Sequence, residues 1–142
     1  MRVWIMRLAR AFGFGRQQTM QELLRTAAQL EDLVKVQLDA SFQHKQLYRM
    51  RGSELNVRGR QRHLGAAANI LAELDQVLAR AREKLDEIER AMNLPLQRGQ
   101  KPDPVDRQMM ATVNQHLRRL QGRAQRLRAQ IANEVETADC CC

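Results

Sequence analysis

Three adjacent thiols, Cys140, Cys141 and Cys142, are the side chains of this sequence best suited to chemistry. Neighbouring cysteines make poor disulfide partners for one another, and none lies elsewhere to staple the body of the chain. That usage points to a reduced, intracellular setting. Paired cysteines near a terminus suit thioether prenylation or thioester acylation, although the last four residues are not a CaaX box. An acyl chain contributes about 0.8 kcal/mol per buried CH2, and stable anchoring takes a second signal. An unmodified end and a metal-scavenging cluster are the alternatives.

The remaining reactive types are scattered. His44, His63 and His116 share no metal-ligand spacing and read as surface residues of helices. Gly13 and Gly15 stand in Gly-Phe-Gly, without the later glycine or the lysine of a phosphate-binding loop. No HExxH or GxSxG occurs. The expectation is a binding protein, not an enzyme, with no cofactor, no metal and no small-molecule substrate.

Arginine dominates the charge. The net charge is +8, which favours an anionic partner: lipid headgroups, nucleic acid or an acidic protein face. Two clusters stand out. One is Arg49, Arg51, Arg58, Arg60 and Arg62, opposed by Glu54 alone; a solvated turn, or a helix continued through two tolerated glycines, is the plainer reading of it. The other is Arg118, Arg119, Arg123 and Arg126, in a stretch from Arg107 to Asn133 that holds no acid. The expected basic patch joins Arg58, Arg60 and Arg62 to that second cluster.

A third basic element opens the chain. Over residues 1–16, a helical wheel gathers Trp4, Ile5, Leu8, Ala11 and Phe12 on one face, with Arg2, Arg7 and Arg10 outside it. No acid precedes Glu22. Such a composition suits a helix lying in a membrane interface, its aromatics buried and its arginines at the headgroups. The segment can instead pack on the rest of the protein. It also has the Arg-rich, acid-poor character of a mitochondrial presequence, with Arg10, Phe12 and Gly15 at a loose cleavage spacing. Elsewhere no apolar run of about 18 residues offers a transmembrane span.

The elements that carry these groups are helices. Aromatic content is only 4%, low for a compact globular core but sufficient for long helices packed by Leu, Ala, Met and Ile. Thr19 and Glu22 form a capping-box signature, and a first helix is expected over about residues 20–50. Its stripe is Met20, Leu23, Ala27, Leu30, Val34 and Leu38, weakening beyond. A break is expected over 51–59, at Gly52, Ser53 and Gly59.

The second helix, about 61–94, has the clearest pattern. Leu64, Ala67, Leu71, Leu74, Leu78, Ala81, Leu85, Ile88 and Met92 alternate spacings of three and four, a coiled-coil seam. Asp86 and Arg90 are placed for an i,i+4 ion pair. A connector with Pro95, Gly99 and Pro102 leads to Asp103 and Pro104, a good N-cap and first helical residue. A third helix over about 104–137 continues the stripe with Val113, Leu117, Leu120, Ala124, Leu127 and Ile131. Residues 138–142 form the Cys-rich tail. The fold class is all-α: three long helices over 19–137 in a coiled-coil hairpin, preceded by the amphipathic segment. The acid-rich second helix and the basic third suggest antiparallel pairing. The seam of Leu71, Leu74, Leu78, Leu85, Ile88, Met92, Leu117, Leu120, Leu127 and Ile131 is expected to join chains into a homo-oligomer.

Phe14-Gly15-Arg16, Thr19 and Glu22-Leu23-Leu24-Arg25, with Met92-Asn93-Leu94-Pro95 further on, resemble short runs of the ESCRT-III (charged multivesicular body) proteins. The resemblance implies long basic helices, an N-terminal membrane-inserting segment and polymerisation on membranes during scission. Asn133-Glu134-Val135-Glu136-Thr137 resembles part of a Q-type SNARE motif, a class that includes palmitoylated proteins. The functional expectation is a cytoplasmic, peripheral-membrane oligomeric scaffold in membrane remodelling or vesicle trafficking, binding protein partners and anionic membrane. A basic coiled-coil nucleic-acid-binding or viral-type accessory protein, an adaptor subunit of a larger helical complex, and a mitochondrial location are the alternatives.

Overall fold

The computed structural model describes residues 19–97, 99, 101 and 103–140. It is built from three helices: α1 (Met20–Arg51), α2 (Glu54–Gln97) and α3 (Pro104–Cys140). The expected all-α class holds, and the helices pack lengthwise against one another.

Local chemistry sets the boundaries. Thr19 caps α1: its Oγ1 accepts from the Glu22 backbone N–H at 3.2 Å. α1 ends at Gly52, whose left-handed backbone (φ 59°, ψ 38°) turns the chain while its N–H donates to the Tyr48 carbonyl. Ser53 then starts α2, its Oγ accepting from the Leu55 N–H. Asp103 caps α3, with Oδ1 accepting from the Val105 N–H at 2.9 Å.

The expected break over 51–59 is therefore only Gly52 and Ser53, and α2 begins at Glu54 instead of near 61. A glycine that bends one chain is tolerated inside another helix when neighbours need the space. Gly59 is such a case. A methyl group there would lie 2.6 Å from the His44 ring, so the absence of a side chain lets α1 and α2 approach. At the other termini, α2 runs on to Gln97 and α3 to Cys140, past the expected ends at 94 and 137.

Cross-helix contacts fix the topology. His44 on α1 meets Asn56 and His63 on α2, and Gln37 meets His63, so α1 and α2 are antiparallel. On α3, Asn114 meets Arg82 whereas Thr137 meets Arg60, so α2 and α3 are antiparallel too. α1 and α3 consequently run in the same direction, joined by Glu31–Arg123 and Lys45–Glu134.

One continuous core lies between the three. It contains Leu23, Ala27, Val34 and Leu38 from α1, Leu64 to Leu85 of the α2 seam, and Leu117, Leu120, Ala124, Leu127 and Ile131 from α3. Thus most of the seam expected to join separate chains is closed within one. Leu71, Leu74, Leu78, Leu85, Leu117, Leu120, Leu127 and Ile131 are buried, and only Ile88 and Met92 remain half-buried. The reason is that α1 supplies an apolar stripe of its own to the same hollow. The expected Asp86–Arg90 ion pair does not form either: Arg90 Nε donates to the Asp86 backbone carbonyl at 3.4 Å.

Leu74, 1% exposed, measures the core's contribution. Leu74→Ala is expected to lower unfolding free energy by about 2–5 kcal/mol in a urea titration. Gly59→Ala is expected to lower it by about 1–3 kcal/mol through overpacking on His44. Gly65, which faces open space in the same helix, is expected to gain about 0.5–1 kcal/mol as alanine.

Candidate basic interface

The arginines divide by what they touch. Arg60 is buried and ties the helices together. Its Nη2 donates to Glu134 Oε2 at 2.9 Å, to the Glu134 carbonyl at 3.3 Å and to Thr137 Oγ1 at 3.2 Å. Lys45 on α1 approaches the same carboxylate at 3.7 Å, so Glu134 links all three helices. A second junction lies midway along α1. Glu31 is buried, with Lys35 at 3.2 Å and Arg123 of α3 at 3.1 Å, both within ion-pair distance but angled off a hydrogen bond. Arg128 pairs with Asp75, joining α3 to α2.

Arg60 and Arg123 are therefore structural members of the expected patch. Arg58 makes an exposed i,i+4 pair with Glu54 at 3.2 Å, which contributes little and leaves its charge open to solvent. Arg62 is exposed. Arg118, Arg119 and Arg126 are exposed on α3 and take part in no ion pair among the described residues.

The end of the bundle where α1 turns into α2 gathers the rest. Arg49, Arg51 and Arg58 are exposed there, around Met50 and Leu55, which flank the Gly52 turn and are 77% and 75% exposed. The Glu134 and Thr137 contacts to Arg60 bring the last turns of α3 to this same end. α3 thus reaches the end that carries the most exposed large apolar side chains of the described residues, in the stretch that holds Arg49, Arg51, Arg58 and the exposed Glu54. Sequence reading found these arginines but not Met50 and Leu55. Their signal was two large apolar residues beside a helix-ending glycine, where no core position exists to receive them.

The histidines differ from expectation. His44 and His63 are half-buried and stacked, with ring centroids 5.3 Å apart. Their Nδ1 atoms lie 3.2 Å from Asn56 Oδ1 and 2.7 Å from Gln37 Oε1. An amide oxygen only accepts, so each Nδ1 donates. The pair is an inter-helix contact, brought together by antiparallel packing across the turn. His116 is exposed, as expected. Among the described residues no three His, Cys, Asp or Glu converge as metal ligands.

At the opposite end α2 and α3 enclose an open groove of about 460 Å³, where Leu85, Met92 and Met110 lie among Arg82, Arg107 and Arg118. The expected membrane-binding residues Arg2, Trp4, Ile5, Arg7, Leu8, Arg10 and Phe12 lie outside the described residues, as do Cys141 and Cys142. Among the described residues no helix is long and apolar enough to cross a membrane.

Glu134→Ala would leave the buried Arg60 without its carboxylate. It is expected to destabilise the bundle by about 2–3 kcal/mol, below the range for fully buried pairs because Glu134 retains some exposure. Glu54→Ala, at an exposed pair, is expected to change stability by less than about 1 kcal/mol in the same denaturation assay.

Comparison of the chain with protein-family models, with curated proteins and with solved structures found no match.

Proposed function

We propose that this chain is a peripheral membrane protein, a helical scaffold that engages anionic bilayers by its turn end and by both terminal segments. The observation that carries the reading is the exposed Met50–Leu55 pair inside Arg49, Arg51 and Arg58, at the end that α3 reaches with Cys140. Exposed apolar side chains ringed by cations partition into the boundary between headgroups and acyl chains, and the cations gain from anionic lipid. Acylation of Cys140, Cys141 or Cys142 would place a second anchor at the same end. The amphipathic segment around Trp4 and Phe12 is a further signal in the sequence. The role is binding and assembly, not catalysis, in membrane remodelling or vesicle trafficking.

A second reading rests on Arg118, Arg119 and Arg126. Exposed on α3 and free of ion pairs among the described residues, they offer cations to phosphates, Arg118 from the groove that α3 shares with α2. The chain has few aromatics, so nucleic-acid binding of this kind would be insensitive to sequence and would fall steeply with salt.

Flotation with phosphatidylserine-containing vesicles tests the first reading. Binding is expected for the native chain and not with phosphatidylcholine alone. Met50→Glu with Leu55→Glu should lower the bound fraction severalfold without altering the helical circular dichroism. Unchanged flotation after Trp4→Glu, deletion of the cysteine tail and the tip substitutions together would reject the membrane role. Retention of RNA or DNA at low salt, lost on Arg118→Glu and Arg126→Glu, would favour the second reading.

A further inference from the structure

The face of α1 turned away from the bundle carries a second heptad register. Leu33, Val36, Ala40, Gln43, Leu47 and Met50 follow spacings of three and four without interruption. These positions lie on the side opposite Leu23, Ala27, Val34 and Leu38, which enter the core. The large members are exposed: Leu33 at 49%, Val36 at 58%, Leu47 at 39% and Met50 at 77%. Apolar residues scattered singly over a surface are ordinary, but a stripe along one helix marks a contact.

We propose that a second copy of this chain docks on this stripe, α1 against α1 in antiparallel orientation. The register is self-complementary. With a two-fold axis between residues 41 and 42, Leu33 faces Met50 of the other copy, Val36 faces Leu47 and Ala40 faces Gln43. Each large apolar residue of the stripe thus meets another on the second copy, with Ala40 against Gln43 at the centre, as an isologous interface allows.

Charge selects the orientation. Asp32 and Asp39 flank the first half of the stripe, and Arg49 and Arg51 stand at its far end, all exposed. A parallel pair would set each of these against its own copy. The antiparallel pair brings Asp32 to the level of Arg51 and so separates like charges. Asp32 and Asp39 disfavour an anionic bilayer along the first half of the stripe; at its far end Met50 also belongs to the turn end that the membrane reading uses, so a second copy and a bilayer compete for that residue. The internal seam is already filled, so this stripe supplies the oligomer contact that a scaffold needs. The dimer itself does not depend on the membrane reading. Contact over about 27 Å of helix is at the small end of stable interfaces, so the dimer is concentration-dependent.

The test needs no lipid. Light scattering of the full chain over a series from low micromolar to sub-millimolar should show the mass rising toward twofold. Val36→Glu and Leu47→Glu should each weaken association by at least about tenfold while keeping the helical circular dichroism. Orientation is read by oxidative cross-linking with Cys140, Cys141 and Cys142 replaced by serine. Leu33→Cys mixed with Met50→Cys should cross-link, and Leu33→Cys alone should not. A monomer at every concentration, a dimer indifferent to Val36→Glu and Leu47→Glu, or efficient cross-linking of Leu33→Cys alone would overturn the proposal. Loss of vesicle flotation by Val36→Glu in a chain that stays monomeric would overturn it too, and would assign the stripe to lipid.

Discussion

The burial of α2 from two sides holds this molecule together. Its seam from Leu64 to Leu85 is too apolar to face water, and neither neighbour alone covers it. α1 covers it along the hairpin, and α3 completes the core with Leu117, Leu120, Leu127 and Ile131. Non-directional apolar burial supplies the driving force, but it does not fix register. Register comes from the few polar groups caught between helices: Glu134 with Arg60 and Lys45 near the turn, Glu31 with Arg123 midway, Arg82 with Asn114 near the far end. A slide of one turn would part the buried Arg60 from Glu134 and leave the buried Glu31 with only Lys35 of its own helix, a cost of about 2–3 kcal/mol for Arg60.

This division explains how the net positive charge is displayed. Arg60, Arg123 and Arg128 neutralise acids of neighbouring helices and tell a partner little. The exposed cations include those around the turn, Arg49, Arg51 and Arg58, and Arg118, Arg119 and Arg126 of α3. Of the acids of α2, Asp75 pairs with Arg128 of α3, whereas Glu73, Glu83, Glu87 and Glu89 are exposed to solvent.

The sequence was legible where one rule acted alone. The three-and-four spacing from Leu64 to Met92 identified α2, and the caps at Thr19 and Asp103 identified two starting points. It misled where a rule has two outcomes. A glycine near arginines reads as a break, yet the left-handed Gly52 ends a helix and Gly59 sits inside one, where the His44 ring of the opposing helix leaves no room for a side chain. A leucine seam reads as a surface between chains, yet the hairpin partner within the same chain reached it first. In α1 the inner stripe is the stronger pattern, and the outer one at Leu33, Val36, Leu47 and Met50 is hidden behind it because periodicity alone cannot count how many faces a helix uses. The stacked His44 and His63, 19 positions apart, depended on where the turn fell.

That α1 and α3 share a direction has a mechanical meaning. α1 begins at one end of the bundle and α3 finishes at the other, with some 48 Å of helix between, at about 1.5 Å per residue. Tension applied to those two points acts along the long axis and strains the packed leucine layers simultaneously, in shear. Peeling, which ruptures one layer at a time, is open only to a pull across the hairpin. The bundle thereby resists lengthwise tension between those two points more than it resists a pull across the hairpin.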